Sequence, residues 1–203
     1  MGEAKIWDRY AKGYAKRPVA DEVAYQKKLE ITQSYFTPDM NLLEFGCGTG
    51  STALVHAPYV AHIDAIDVSP NMIEIAQQKL AATEISNITF RTATIEEFKP
   101  EKQFDMVLGL SILHLVKDKN ATISKVYDLL KEDGLFISST ICLGNNMGYM
   151  KYILPIGRFF GAIPTVKVFS TDELEQSLTD AGFTIVQKRQ PKPSSAMFIV
   201  SRK

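Results

Sequence analysis

The chain has 203 residues, 45% of them hydrophobic and 23% charged, and its 23 Lys and Arg residues balance its 23 Asp and Glu residues. This length suits a single α/β domain, and a formal net charge of zero gives no positive field for binding nucleic acid. The two cysteines form neither a disulfide framework nor a metal site, so we expect no bound metal and a reducing, cytoplasmic setting. Residues 1–6 lack the apolar core of a signal peptide, and no apolar run is long enough to span a membrane.

Apolar periodicity and capping signals predict helices that alternate with strands along the chain. The predicted helices cover residues 5–14, 19–36, 51–59, 70–82, 119–130 and 171–181. Asp118 is the predicted N-cap of the fifth helix, and Ser170 with Glu173 has the form of a capping box at the start of the sixth. The predicted strands cover residues 41–45, 61–67, 88–92, 104–110, 135–141, 183–188 and 196–201. This alternation predicts one doubly wound, seven-stranded α/β sheet that is mostly parallel, ending in an antiparallel hairpin because the last connection is too short for a crossover. We treat residues 1–203 as one domain, with residues 1–38 as an N-terminal helical cap and residues 144–170 as an insert.

Three glycines spaced two residues apart, Gly46, Gly48 and Gly50, end the predicted first strand. Glycine is needed where the backbone turns at positive φ or where a ligand must approach without a Cβ in its way. In open α/β sheets, ligands bind beyond the carboxyl ends of the strands. We therefore predict that a cofactor lies against this loop. A dinucleotide fingerprint would need a glycine at position 51, where the chain has Ser51.

Asp67 ends the predicted second strand, just before Ser69 and Pro70 begin a helix as its N-cap and first residue. A carboxylate at this tip would accept both ribose hydroxyls of a nucleoside, and each such charged hydrogen bond contributes about 1.5–3 kcal/mol. The alternative is that Asp67 only turns the chain before the helix. Asp64 is the rival acid, but it lies too early in the strand to reach the tip.

The spacing of the glycine loop, with Glu44 two residues ahead of it, resembles motif I of the class I S-adenosylmethionine (SAM) dependent methyltransferases. Residues 104–114 look like the fourth-strand motif of that family, and residues 129–135 look like its Leu-Leu-Lys-Pro-Gly-Gly turn. The resemblance extends from Trp7 to Lys203, and among subgroups it is closest to the ubiquinone/menaquinone C-methyltransferase-like small-molecule enzymes. It implies SAM as cofactor and a methyl transfer that releases S-adenosylhomocysteine.

The resemblance also implies which residues contact the cofactor. They are Tyr14, Glu44, Gly46, Cys47, Gly48, Gly50, Asp67, Val68, Met72, Thr94, Ile95, Gly109 and Leu110. Thr94 and Ile95 stand where many relatives carry Asp-Ala, so Thr94 would accept from the adenine amino group less strongly than a carboxylate. Ile95 would supply a backbone N–H and an apolar contact.

Methyl transfer from a sulfonium requires no nucleophilic residue of the protein, and it needs a general base only when the acceptor must lose a proton. His114, just beyond the fourth strand, is the candidate catalytic base. The alternative is a histidine packed at a helix start. The residues predicted to contact the substrate are Tyr10, Ser111, His114, Phe159 and Phe160.

Two segments are predicted to determine the acceptor. Trp7, Tyr10 and Tyr14 share one helical face, which would form either a lid over the cofactor or a core-packing face. The 144–170 insert is rich in aromatic residues and contains cations but no acid. Such a segment could bind a small, partly apolar acceptor as a lid, could touch an anionic membrane surface weakly, or could be a packed helical cap.

Two other function classes fit the same pattern. A nucleotide-dependent oxidoreductase is disfavoured by Ser51, whereas a non-catalytic SAM-binding partner subunit is not excluded by any residue. Methylation of nucleic-acid bases is disfavoured, because residues 109–112 lack an Asn/Asp-Pro-Pro-aromatic clamp. The sequence is compatible with a monomer or a dimer.

Overall fold

The computed structural model describes residues 2–145, 147–150, 164–192 and 195–203. The strands are β1 (Asn41–Phe45), β2 (His62–Asp67), β3 (Ile88–Thr92), β4 (Phe104–Leu110), β5 (Leu130–Thr140), β6 (Thr184–Arg189) and β7 (Met197–Arg202). The helices are α1 (Glu3–Ala15), α2 (Glu22–Gln33), α3 (Ser51–His56), α4 (Pro70–Ala81), α5 (Lys119–Leu129) and α6 (Thr171–Asp180). No helix within these ranges is both long and apolar enough to cross a membrane.

The seven strands form one sheet in the order β3-β2-β1-β4-β5-β7-β6. The pairs β1/β2, β2/β3 and β4/β5 are parallel, whereas β7 runs antiparallel to both β5 and β6. The predicted sheet, mostly parallel with an antiparallel C-terminal hairpin, is therefore confirmed.

The chain divides into two compact units, residues 2–94 and residues 95–203. In the first unit, β1 and β2 are near-continuous buried runs, as parallel strands covered on both faces require. In the second unit, β4 is buried along most of its length, and β5 is buried from Gly134 onward. Ile123 and Val126 of α5 and Leu174 and Leu178 of α6 belong to the core of this unit.

Local capping signals predicted the starts of several helices correctly. Ser69 accepts the backbone N–H of Met72 at 3.2 Å, and Asp118 accepts those of Asn120 and Ala121 at 2.9 and 3.1 Å. Ser170 and Glu173 form the reciprocal capping box that begins α6. These caps satisfy N–H groups that the first turn of a helix leaves without an intrahelical partner.

Several predicted boundaries were wrong by one or two residues, and three elements depart further from their predicted bounds. Helix α2 ends at Gln33 and not at residue 36. Helix α2 begins at Glu22 and not at residue 19, because the side chain of Asp21 caps it by accepting the N–H of Ala24. The helix that starts at Ser51 ends at His56 and continues as a 3-10 helix over Ala57–Tyr59. Strand β5 begins at Leu130 and contains the predicted turn as a bulge, with Asp133 at a φ of 60°.

Gly50 has a φ of 74°, and a Cβ at this position would lie 2.6 Å from Phe90 Cζ and 2.8 Å from the Cβ of Ala76. We expect Gly50→Ala to lower the free energy of unfolding by about 2–4 kcal/mol, because left-handed backbone and overpacking each carry a cost. Gly13→Ala is the matched control: apart from its chain neighbours and the backbone of its own helix, no atom of the described residues lies within 4 Å of its Cβ position. It should stabilise helix α1 by roughly 0.5–1 kcal/mol. Urea denaturation measures both. Equal stability of Gly50→Ala and the wild type would contradict this packing.

Candidate functional site

The loop between β1 and α3 turns through three glycines in the left-handed region. The φ values of Gly46, Gly48 and Gly50 are 66°, 55° and 74°. The N–H of Cys47 donates to the carbonyl of Ile66 at 3.0 Å, which ties the loop to the end of β2. The backbone of residues 46–50 is therefore folded tightly at the carboxyl end of β1.

The carboxylate of Asp67 lies against this loop. Its Oδ2 accepts the N–H of Gly48 and its Oδ1 accepts the N–H of Ser69, both at 2.9 Å. Burial raises the pKa of this carboxyl, while the backbone hydrogen bonds lower it. A carboxylate has about four lone-pair positions, so Asp67 retains acceptor capacity beyond these two bonds. Asp64, the rival acid, instead pairs with Arg91 on β3 at 3.5 Å.

Glu44, at the fourth position of β1, is a buried carboxyl with only 3% of its surface exposed. Its Oε2 has no hydrogen-bond partner among the residues that the structure describes. Burial first, and the charge of Asp67 second, raise the pKa of Glu44 to about 8. Glu44 is therefore mostly protonated at neutral pH, and it fits a ligand group that donates a hydrogen bond or carries positive charge.

Tyr14, near the end of α1, also approaches the loop. A Cβ on Gly48 would lie 3.8 Å from its Cε1 atom, and no other described residue beyond Cys47 and Thr49 comes within 4 Å of that position. Burial, followed by the charge of Asp67, raises the pKa of the Tyr14 hydroxyl. Tyr10 and Tyr14 are 38% and 49% exposed, whereas Ile6 and Ala11 form the buried face of α1. The core-packing interpretation of the aromatic stripe is therefore wrong for these two tyrosines.

Two residues that contact this region were absent from the sequence predictions. Asp8 of α1 accepts the hydroxyl hydrogen of Ser69 at 2.6 Å. Lys79 of α4 donates to the hydroxyls of Thr49 and Ser51 at 2.8 and 2.9 Å, which holds the far side of the glycine loop. These partners are far apart in sequence, and no local motif indicates them.

The loop after β4, in the second unit, carries the predicted acceptor side. Ser111 follows Gly109 and Leu110 with a φ of 58°, and its N–H donates to the carbonyl of Ser139 at 2.6 Å. Left-handed backbone at a non-glycine residue costs of order 1–3 kcal/mol and is concentrated at functional sites. The left-handed backbone at Ser111 is consistent with the predicted role of Ser111 as a substrate contact. No described contact tests that role, so it stays a prediction.

His114 is half-buried, and burial lowers its pKa to about 4, so the imidazole is neutral at neutral pH. Its Nδ1 has no hydrogen-bond partner in the described part of the chain. The backbone carbonyl of His114 accepts the N–H of Lys167 at 2.7 Å. The returning segment of the 144–170 insert, at Lys167, therefore lies beside the candidate base.

The two ends of the insert are fastened together. The N–H of Gly144 donates to the carbonyl of Phe169 at 2.9 Å, and the side chain of Asn145 accepts the N–H of Thr171 at 2.9 Å. Phe159 and Phe160, together with residues 151–158 and 161–163, lie outside the described residues, so their predicted substrate contacts stay predictions.

The other residues predicted to contact the cofactor lie near strand and helix ends, and their contacts with it stay predictions. The side chains of Cys47, Met72 and Ile95 are buried, whereas those of Val68 and Thr94 are partly exposed. Burial raises the pKa of the Cys47 thiol, so it is protonated at neutral pH. Within the described ranges, no group of three or more His, Cys, Asp or Glu side chains is arranged to hold a metal ion.

The raised pKa of Glu44 predicts stability that falls as the pH rises. The folded protein keeps this proton up to about pH 8, whereas the unfolded chain loses it near 4.5. The folded state then binds more protons than the unfolded state, so the free energy of unfolding decreases with pH, by at most about 1.4 kcal/mol per pH unit from this group.

His56 and His114 make the free energy of unfolding increase with pH, because burial lowers both pKa values from 6.5 to about 4. This increase lies below pH 6.5 and so does not overlap the range above it. Urea denaturation between pH 6.5 and 8 should therefore show the decrease in the wild type and a flatter profile in Glu44→Gln. Parallel profiles for the two proteins would show that Glu44 is ionised when folded.

Comparison with known proteins gives a family and several relatives. Residues 36–183 match the family described as methyltransferase domain. Malonyl-[acyl-carrier protein] O-methyltransferase of Priestia megaterium is 31% identical over 179 residues, which make up 85% of this chain and 62% of that protein. Malonyl-[acyl-carrier protein] O-methyltransferase 1 of Ilyobacter polytropus is 32% identical over 139 residues, 68% of this chain and 48% of that protein. The chain thus spans only about half to three fifths of the length of these curated relatives.

The crystal structure of the N-methyltransferase NodS from Bradyrhizobium japonicum WM9, in complex with S-adenosyl-L-homocysteine, superposes with a TM-score of 0.75. It is 18% identical, and the match covers 100% of this chain and 99% of that one, so it supports the fold. These relatives do not point to the predicted ubiquinone/menaquinone subgroup. The match over residues 36–183 and the seven-stranded sheet together show that the chain belongs to the class I SAM-dependent methyltransferases.

Proposed function

We propose that this chain transfers the methyl group of SAM to a small acceptor that carries a carboxylate. One observation supports the donor half most directly. Asp67, at the tip of β2, holds the N–H of Gly48 within the stretch that matches the methyltransferase family. The position of Asp67 in the sequence predicts that this acid accepts the ribose hydroxyls of the cofactor.

The described residues of the first unit fit SAM in three respects. The remaining acceptor capacity of Asp67 suits a pair of ribose hydroxyls. The unpartnered Oε2 of Glu44 suits an ammonium group. The position of a Cβ on Gly48 has only the Tyr14 ring within 4 Å, so a ligand can approach the backbone there.

When bound, SAM supplies a methyl group that its sulfonium already activates. The tasks that remain for the protein are to orient the reactants and to exclude water. In our proposal, Asp67 and Glu44 hold the donor, and Tyr14 covers the loop as part of a lid formed by α1. Ser111 and His114 of the second unit face the acceptor.

The acceptor half of the proposal rests on two considerations. The relatives named above are malonyl-[acyl-carrier protein] O-methyltransferases, and a malonyl group carries one free carboxylate. A carboxylate is ionised at neutral pH and needs no general base before it attacks a methyl group. Lys167 is exposed beside His114, so it could attract an anionic acceptor. The neutral His114 would then donate or accept a hydrogen bond and would become a base only for an acceptor that must lose a proton.

Calorimetry of purified protein with SAM and with NADH separates the proposal from an oxidoreductase, which would bind NADH instead. Incubation with SAM and malonyl-[acyl-carrier protein], followed by mass spectrometry, tests the acceptor: we expect S-adenosylhomocysteine and a methyl ester. Labelled SAM with a cell extract is the parallel assay for a different acceptor. SAM binding without S-adenosylhomocysteine in either assay would favour a non-catalytic partner subunit.

Asp67→Ala should weaken SAM binding by about 10- to 150-fold, since a hydrogen bond to a charged group contributes about 1.5–3 kcal/mol. Because Asp67 also accepts the N–H groups of Gly48 and Ser69, this variant should be less stable as well, so affinity must be measured well below its unfolding temperature. Asp64→Asn is the matched control on the same strand, and its affinity for SAM should stay near that of the wild type. Equal affinities of Asp67→Ala and Asp64→Asn would remove Asp67 from the site.

A further inference from the structure

Asp8 joins the N-terminal helix to the start of α4. Its Oδ1 accepts the hydroxyl hydrogen of Ser69 at 2.6 Å and the N–H of Asn71 at 3.1 Å. The side-chain amide of Asn71 donates in return to the backbone carbonyl of Asp8 at 3.2 Å. Asp8 thus caps α4 from another helix, where the N-terminal end of α4 favours a negative charge.

Further hydrogen bonds connect this contact between Asp8 and α4 with the glycine loop. Ser69 is fully buried, and while its hydroxyl binds Asp8, its backbone N–H donates to Asp67. Asp67 in turn holds the N–H of Gly48. A continuous series of hydrogen bonds therefore connects Asp8 of α1 with the backbone of Gly48.

The same helix reaches the loop a second time, through Tyr14. The Tyr14 ring lies on the side of Gly48 where a Cβ would point, and the charge of Asp67 contributes to the raised pKa of the Tyr14 hydroxyl. Because Asp8 and Tyr14 belong to one helix, the anchoring of Asp8 fixes where Tyr14 stands. Tyr14 is about half-exposed, so only part of its side chain packs against the protein.

We propose that Asp8 is a positioning residue for donor binding: it anchors α1 on the start of α4 so that Tyr14 stays beside Gly48. The part that concerns SAM rests on the proposed function. A ligand that binds against the Gly48 loop and contacts Tyr14 is coupled to the docking of α1. Docked α1 raises the affinity of the ligand by a certain factor, and the bound ligand favours docking of α1 by the same factor. Asp8 thereby makes the N-terminal helix part of the donor site without touching the donor.

Three measurements on Asp8→Ala test this role. SAM binding, measured by calorimetry, should weaken by about tenfold, because the anchoring bonds are charge-assisted. The emission of Trp7, the only tryptophan of the chain and the neighbour of Asp8, should shift to the red as α1 detaches. Amide exchange in residues 3–15 should slow when SAM is added to the wild type, but not when it is added to Asp8→Ala.

Two variants separate positioning from general stabilisation. Asp8→Asn keeps an acceptor oxygen for Ser69 and Asn71, so it should restore most of the SAM affinity. Asp21→Ala removes another helix-capping aspartate of the N-terminal region, which accepts the N–H of Ala24 at the start of α2. It should lose stability and yet bind SAM as the wild type does. If Asp8→Ala binds SAM as tightly as Asp21→Ala, the proposal is overturned.

If Asp8→Ala does not fold, Asn71→Ala serves the same purpose, because its side chain is exposed and donates to the Asp8 carbonyl. Unchanged SAM affinity together with unchanged amide exchange in α1 would then overturn the proposal. If the wild type does not bind SAM, the proposed function fails. The anchoring by Asp8 is in that case judged without ligand, and identical Trp7 emission and amide exchange in Asp8→Ala and the wild type would refute it.

Discussion

The pair of hydrogen bonds that Asp67 accepts is the interaction on which the candidate donor site depends. One carboxylate fixes the N–H of Gly48 after β1 and the N–H of Ser69 before α4. Charge-assisted bonds of this kind are stronger than neutral ones, and partial burial shields them from water. The first bond fixes the backbone of the glycine loop, and the second fixes Ser69, whose side chain caps α4. The two sequence interpretations of Asp67, as a ligand contact and as a turn-forming residue, are therefore compatible.

Sequence reasoning succeeded where the determinants are close together in the chain. Strands β1, β3 and β4 have the predicted bounds, and Ser69, Asp118 and Ser170 cap the helices as predicted. In each cap, a side chain binds an N–H within three residues, so a few letters contain the whole interaction. The proximity of the glycine loop to the acid at the next strand tip can also be predicted from the sequence, since parallel strands bring their carboxyl ends to one edge of the sheet.

The interactions that sequence reasoning missed join residues that are far apart in the chain. Asp8 binds Ser69 across 61 positions, and Lys79 binds Ser51 across 28. The close packing of Phe90 and Ala76 around Gly50 explains why position 50 needs a glycine, without any ligand. Periodicity also left the role of Tyr10 and Tyr14 open, because a shared helical face does not say whether that face is buried. Such contacts depend on how elements pack, and propensity does not contain that information.

The architecture of the insert explains why the acceptor is harder to infer than the donor. Gly144 binds Phe169 and Asn145 binds Thr171, so the insert leaves and rejoins the fold at one closed neck. We expect residues between the two sides of such a neck to change more freely than the rest, because β5 is held by its pairing with β4 and β7. The donor loop has no such freedom, since Gly50 is packed and Asp67 is bonded on both oxygens. A family on this fold can therefore keep its donor while its acceptors diverge, and the prediction that the 144–170 insert determines the acceptor follows from this division.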